Sequence, residues 1–188
     1  MYYKYETLRL YLQILDNSHA EKVLDFYKRN SAGFEPLEPK RSENFYTEQY
    51  QKTMLEVEYN YALTGKQYRF WIFDKEDTDV IIGTVSIRNV LGHPFSRCEI
   101  GYKIDADHRN KGYGTEAVIA VCGIAFNDLR LHRVEATCLP DNEASVRVLT
   151  KAGFENEGYL KKYIEINGVY RDHLLYARTS DSYQRKAD

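Results

Sequence analysis

The segment Arg109-Asn110-Lys111-Gly112-Tyr113-Gly114 joins a strand-like run, Cys98 to Ile104, to a long apolar stretch, Ala117 to Leu131. A second strand-like run, His132 to Leu139, follows it. Two strands separated by a helix are too far apart in the chain for a hairpin. They favour a crossover and one parallel pair. The turn between them also carries chemistry. Glycines let the backbone turn tightly and approach a ligand with no Cβ in the way. The first turn of the following helix has N–H groups without internal partners and the positive end of the helix dipole. Together these form an anion site, to which Arg109 and Lys111 add full charge. The turn therefore reads either as a simple structural connection or as a loop for a phosphorylated ligand such as a cofactor. It is not a nucleotide P-loop, because Lys111 precedes Gly112. Gly112-x-Gly114-x-x-Ala117 fits the letters of the dinucleotide fingerprint. Its context does not fit, since about a hundred residues precede it and that fingerprint sits on the first strand of its domain.

The rest of the chain surrounds this unit with other elements. Thr7 to Leu15 alternates as a strand. Asn17 or Ser18 caps a helix running to about Arg29, and Ser31 to Lys40 reads as a loop. A second helix runs from Ser42 to about Leu63 and ends at Gly65. Gln67–Phe73 and Val80–Val90 read as strands joined by a charged turn. The helix after the glycine loop extends to about Asp128. A short helix after Pro140-Asp141-Asn142 runs to Ala152. Two last strands, Glu157–Ile166 and Val169–Ala177, meet at Asn167-Gly168, a strong hairpin signal. The expectation is a mixed α/β fold with a mostly antiparallel six- to seven-stranded sheet, a splayed parallel pair and about four helices.

At 188 residues the chain reads as one domain with a sizeable core. Its net charge of −2 argues against general nucleic-acid binding. No apolar run has the length to cross a bilayer, and the first residues lack the apolar core of a secretory signal. Cys98, Cys122 and Cys138 have neither disulfide-framework nor zinc spacing, which suggests a reducing cytoplasm. No pair of histidines has metal-ligand spacing, so no metal is expected. The 17 tyrosines read mostly as half-buried packing, with a cleft lining as the other possibility.

Four motifs, in order, carry a resemblance. They are Glu99-Ile100-Gly101-Tyr102, Arg109 through Thr115, Asn142-Glu143-Ala144-Ser145, and Lys151-Ala152-Gly153-Phe154. With this element order, the chain resembles the Gcn5-related N-acetyltransferase superfamily. It is most similar to the branch that includes ribosomal-protein N-alanyl acetyltransferases, which Tyr170-Arg171-Asp172-His173 also fits. The resemblance implies a single acetyltransferase domain over 1–178, followed by a polar tail at 179–188. It implies acetyl-CoA as co-substrate, with its pyrophosphate held by Arg109, Asn110, Lys111, Gly112, Tyr113, Gly114 and Thr115. Backbone groups of Tyr102, Lys103 and Ile104 would pair with the pantetheine arm. Asn142 would contact that arm or only cap its helix. Ser145 would lie near the thioester or be an exposed helix serine. The partners implied are acetyl-CoA and an amine acceptor such as a protein N-terminus, in a monomer or homodimer.

The chemistry sets further expectations. An α-amine, with a pKa of about 7.7–8.0, is partly neutral at pH 7, whereas a lysine amine at about 10.4 needs more help. Direct attack with modest base assistance therefore suits an N-terminal amine. Glu99 is the candidate base; its alternative reading is a partner for nearby Arg97. Where the family often places a tyrosine acid, this chain has Leu149, which leaves Ser145 or water to protonate the thiolate. Two other readings stay open. A small-molecule acceptor such as a polyamine or aminoglycoside would be favoured by a cleft lined with Glu35, Glu38 or Glu43. A CoA-binding protein without catalysis would keep the loop and lose the chemistry.

Overall fold

The structure is a computed structural model that describes residues 2–180. It contains an eight-stranded sheet in the order β1-β2-β3-β4-β5-β6-β8-β7. The strands are β1 (Lys4–Glu6), β2 (Leu10–Gln13), β3 (Tyr68–Asp74), β4 (Ile81–Leu91), β5 (Arg97–Ile104), β6 (Arg133–Cys138), β7 (Glu155–Ile166) and β8 (Val169–Thr179). Four helices pack on it: α1 (Ala20–Phe34), α2 (Glu48–Leu63), α3 (Tyr113–Gly123) and α4 (Glu143–Lys151). Every neighbouring pair of strands is antiparallel except β5 and β6. The fold class is the expected one, with one strand more than the sequence predicts.

That extra strand, β1, has three residues and pairs only with β2, so it leaves little pattern to read. Two helix boundaries also differ from expectation. Helix α1 continues past Arg29 through Gly33, because Tyr27, Asn30 and Phe34 extend the buried stripe begun by Ala20, Val23 and Phe26. Burial of that stripe outweighs the roughly 1 kcal/mol that a helical glycine costs. Helix α2 starts at Glu48 instead of Ser42, where Thr47 Oγ1 accepts from the Tyr50 N–H at 3.3 Å and caps it. Strand β8 runs to Thr179, one residue beyond the expected domain end, and Thr179 pairs with Arg133. Of the expected polar tail, residues 181–188 lie outside the described residues.

The sheet separates two cores. On one face, α3 and α4 cover Phe70, Ile72, Ile100, Val134 and Tyr176. Small residues on α3, Gly114 and Ala117, let it lie close to the strands. On the other face, α1 and α2 cover Trp71, Phe73 and Ile81 with Phe26, Phe34 and Leu55. Cys98, Cys122 and Cys138 are buried and free. Asn167 and Gly168 both adopt positive φ, +51° and +81°, the geometry of a tight two-residue hairpin.

Candidate functional site

The site begins where the sheet divides. The β5–β6 ladder runs from Arg97–Arg133 to Ile100–Ala136 and stops. Strand β5 continues to Ile104 alongside β4, so Gly101 to Ile104 leave β6 behind. A cleft of about 810 Å³ opens into this gap. One end is walled by the glycine loop and α4, the other by the α1–α2 connection and the β7–β8 hairpin.

At the loop end, Gly112 adopts φ +84° and is the residue before the first turn of α3. An L side chain is strained in that conformation. Asn110 also has positive φ, +62°. Arg109, Asn110, Gly112, Tyr113, Gly114 and Thr115 line the cleft, whereas Lys111 does not. The Lys111 carbonyl instead accepts from Arg9 Nη1 at 2.8 Å. Arg9 is fixed in turn by Glu116 on α3, through its Nε and its backbone N–H, both at 2.8 Å. Thr7 Oγ1 donates to the same carboxylate at 2.6 Å. The Arg9 guanidinium lies 4.6 Å from the centre of the Tyr113 ring, and the Tyr113 hydroxyl donates to Asp74. The N-terminal strands therefore hold the loop from behind. No local motif signals this, because the residues involved are about a hundred positions apart.

The start of the loop is anchored by Asp105, which follows β5 and is 2% exposed. Its carboxylate accepts from Arg29 Nε and Asn30 Nδ2, both at 2.7 Å, from His108 Nδ1 at 2.9 Å and from the Asp107 N–H at 3.1 Å. Asn30 Oδ1 accepts from the Ala106 N–H at 2.9 Å. Burial alone would push the Asp105 carboxyl up. The donors Asn30, His108 and Arg29 outweigh it and hold the group down at about 2.

In the middle of the cleft, α4 presents Ser145 to β5. Asn142 Oδ1 accepts from the Ser145 N–H at 3.1 Å and caps α4; Asn142 also lines the cleft. The Tyr102 hydroxyl donates to the Ser145 carbonyl at 3.1 Å and lies 2.7 Å from Ser145 Oγ. This pairing is absent from the sequence reading, which assigned Tyr102 only main-chain work. Its signal is the alternation that puts Tyr102 on the α4 side of β5. Burial pushes the Tyr102 phenol above its ordinary range, so it keeps its proton at neutral pH. The Cys138 thiol, at the end of β6, is raised by burial and pulled back by a hydrogen bond with Ser145. Leu149 is fully buried in the core and offers no proton.

At the far end, Lys103 Nζ lies 2.5 Å from Glu38 Oε1 and near the rings of Tyr27 and Phe34. Burial lowers the Lys103 ammonium to about 8, even though Glu38 opposes the shift. Glu38 also pairs with Arg41 at 2.5 Å. It is the single carboxylate among the described residues that line the cleft. Glu35 accepts from the Tyr46 hydroxyl at 2.6 Å, and Glu43 does not line the cleft. Arg69, Arg88 and Lys103 stand on this side, so it is not an acidic trap for a polycation.

Glu99 does not reach the cleft lining. Its carboxylate lies 3.9 Å from both Arg88 Nε and Arg97 Nη1, inside a surface ion-pair network that includes Glu135. The structure thus brings together all the expected positions except Glu99 and Lys111. No cluster of three or more His, Cys, Asp or Glu that could hold a metal occurs among the described residues.

Comparison with known proteins agrees with this architecture. Residues 9–155 match the family described as Acetyltransferase (GNAT) domain. A probable N-acetyltransferase of Bacillus subtilis is 39% identical over 89% of this chain and 92% of its own. The crystal structure of a ribosomal-protein-S5-alanine acetyltransferase from Vibrio fischeri is 32% identical. It superposes with a TM-score of 0.91 over 97% of this chain and 99% of its own. Mycobacterium smegmatis RimJ in complex with CoA-disulfide is 27% identical, with a TM-score of 0.85 over 94% of this chain and 84% of its own.

Proposed function

Because this chain belongs to the GNAT acetyltransferase family, we propose that it transfers acetyl from acetyl-CoA directly to the α-amine of a protein N-terminus. The observation that carries this reading is the divided sheet: a glycine loop and helix N-terminus at one end of a cleft, and a non-acidic acceptor end at the other. The donor end suits the co-substrate. Gly112 offers a positive-φ backbone with no Cβ, and the first N–H groups of α3 suit a pyrophosphate. The free edge of β5 from Gly101 to Ile104 suits main-chain pairing with a peptide-like arm. The acceptor end has one carboxylate already engaged by Lys103 and Arg41, which supports a peptide terminus over a polyamine. The likeness to the Vibrio fischeri ribosomal-protein-S5-alanine acetyltransferase supports an N-terminal alanine. Buried free cysteines fit a reducing compartment such as the cytoplasm.

In this reading the Tyr102–Ser145 hydroxyl pair protonates the departing thiolate, the task Leu149 is unable to perform. Ser145→Ala is expected to lower kcat about 10- to 100-fold, below the full range for an acid because an alkyl thiolate is a weak base. The KM for acetyl-CoA should stay near that of the unsubstituted protein. A raised KM with kcat unchanged would assign Ser145 to binding instead.

The acceptor is tested by thiol release from acetyl-CoA against N-terminal peptides, polyamines and aminoglycosides. Release is expected with peptides beginning in alanine. Release with polyamines alone would transfer the reading to small amines. Tight CoA binding with no release from any acceptor would leave a CoA-binding protein without catalysis.

A further inference from the structure

The reaction needs a group that takes a proton from the acceptor amine, and the carboxylates nearest the cleft are engaged elsewhere. Glu99 lies outside the lining and beside two arginines. Glu38 is shared by Lys103 and Arg41. His108 is bound through Nδ1 to Asp105 at the loop end. One further titratable acceptor lines the cleft: His173 on β8, 5% exposed.

Strand register fixes the face on which it stands. Glu99 pairs with Glu135 across β5 and β6, and Glu135 pairs with Ala177 across β6 and β8. Alternation along the strands then puts His173 on the same face as Lys103, opposite the face of Tyr102 and Leu174. That is the acceptor side. The Tyr163 ring meets the imidazole edge-on, with centroids 5.6 Å apart, and limits its rotation. His173 Nδ1 lies 3.2 Å from the Arg171 carbonyl oxygen. A carbonyl only accepts, so Nδ1 carries the proton and the neutral ring keeps its lone pair on Nε2. Among the described residues Nε2 has no hydrogen-bond partner.

The geometry points to His173 Nε2 as the base that accepts the amine proton, an inference that rests on the N-terminal acceptor proposed above. The amine nitrogen forms a bond to the thioester carbonyl carbon, and its proton passes to Nε2. The carbon–sulfur bond then breaks, and the sulfur takes a proton from the Tyr102–Ser145 pair. Water removes the proton from His173 and restores the hydroxyls. Tyr163 on β7 meets the ring, and Lys103 on β5, Arg88 on β4, Arg69 on β3 and Glu38 on the α1–α2 connection line the same cleft. Arg171 and Asp172 flank His173 on β8, Asp172 being bound to Tyr159 and the Lys162 N–H.

The test measures kcat/KM for an N-alanyl peptide between pH 6 and 9.5. His173→Asn keeps an amide donor for the Arg171 carbonyl, and His173→Gln is a second variant of larger volume. Each should lose about 100-fold at pH 7. The deficit should shrink toward pH 9, where the α-amine is already neutral. Acetyl-CoA affinity should be unchanged, which also shows that the variants are folded. A folded variant with the kcat/KM and pH profile of the unsubstituted protein would overturn the assignment. Nitrogen-15 NMR of the unsubstituted protein needs no variant: it should report a proton on Nδ1, and a ring protonated only on Nε2 would overturn it equally. If the unsubstituted protein released no thiol with any peptide, the acceptor reading would fail first and this assignment with it.

Discussion

Replacing Gly112 by glutamate is expected to raise the dissociation constant for acetyl-CoA by at least about 100-fold, or close to 3 kcal/mol. Three effects converge on that position. At φ +84° a Cβ strains the backbone by about 1–2 kcal/mol. That Cβ would stand 3.2 Å from Arg9 Nη2, the side chain that supports the loop. A carboxylate there would also repel a pyrophosphate at the helix N-terminus. Gly112 is exposed, so the fold should survive with a modest drop in melting temperature. Isothermal calorimetry with acetyl-CoA measures the effect; an unchanged affinity would remove the loop from the donor site.

Asp105→Ala is expected to cost about 3 kcal/mol of unfolding free energy, measured by urea denaturation, with weaker acetyl-CoA binding. The substitution removes one of the two acceptors of the buried Asn30 amide, leaving it the Phe26 carbonyl alone, and leaves Arg29 without the acceptor of its Nε. It also releases residues 106–109, which lead into the loop. The pH dependence has a definite sign. The folded carboxyl at about 2 lies below its ordinary 3.8. Its stabilisation is therefore complete above about pH 4 and is lost as the pH falls toward 2. Asp105→Asn should flatten stability in that window. A variant as stable as the unsubstituted protein at pH 7 would show that the network is dispensable.

The legible parts of the fold were those set by local chemistry. Asn167-Gly168 needs two positive-φ residues, so it announced its hairpin. The glycine loop between a strand and a helix announced the parallel pair. What stayed hidden depended on distant partners. Phe34 belongs to α1 because it reaches a core built from Trp71 and Phe26, although Gly33 reads as a loop residue. Strand β1 exists because β2 is there to pair with it. In the site, spacing located Ser145 and Asn142 but said nothing of the Tyr102 hydroxyl, whose partner comes from another element. Glu99 looked available because its neighbour Arg88 is set by the register between β4 and β5, not by the sequence nearby. His173 stood in a matching motif but was given no role, for the same reason. Its cleft is made only when β5 parts from β6.

Arg9 and Glu116, joined across 107 positions, also order events in time. The first ten residues leave the ribosome well before Glu116 has been synthesised. They have no loop to support until α3 follows, and contacts of such long sequence separation form late. Strands β1 to β5 are thus synthesised before the loop and α3, and β6 to β8 after them. A chain released before residue 116 would have a partial sheet and a loop without the support that Arg9 and Glu116 give it.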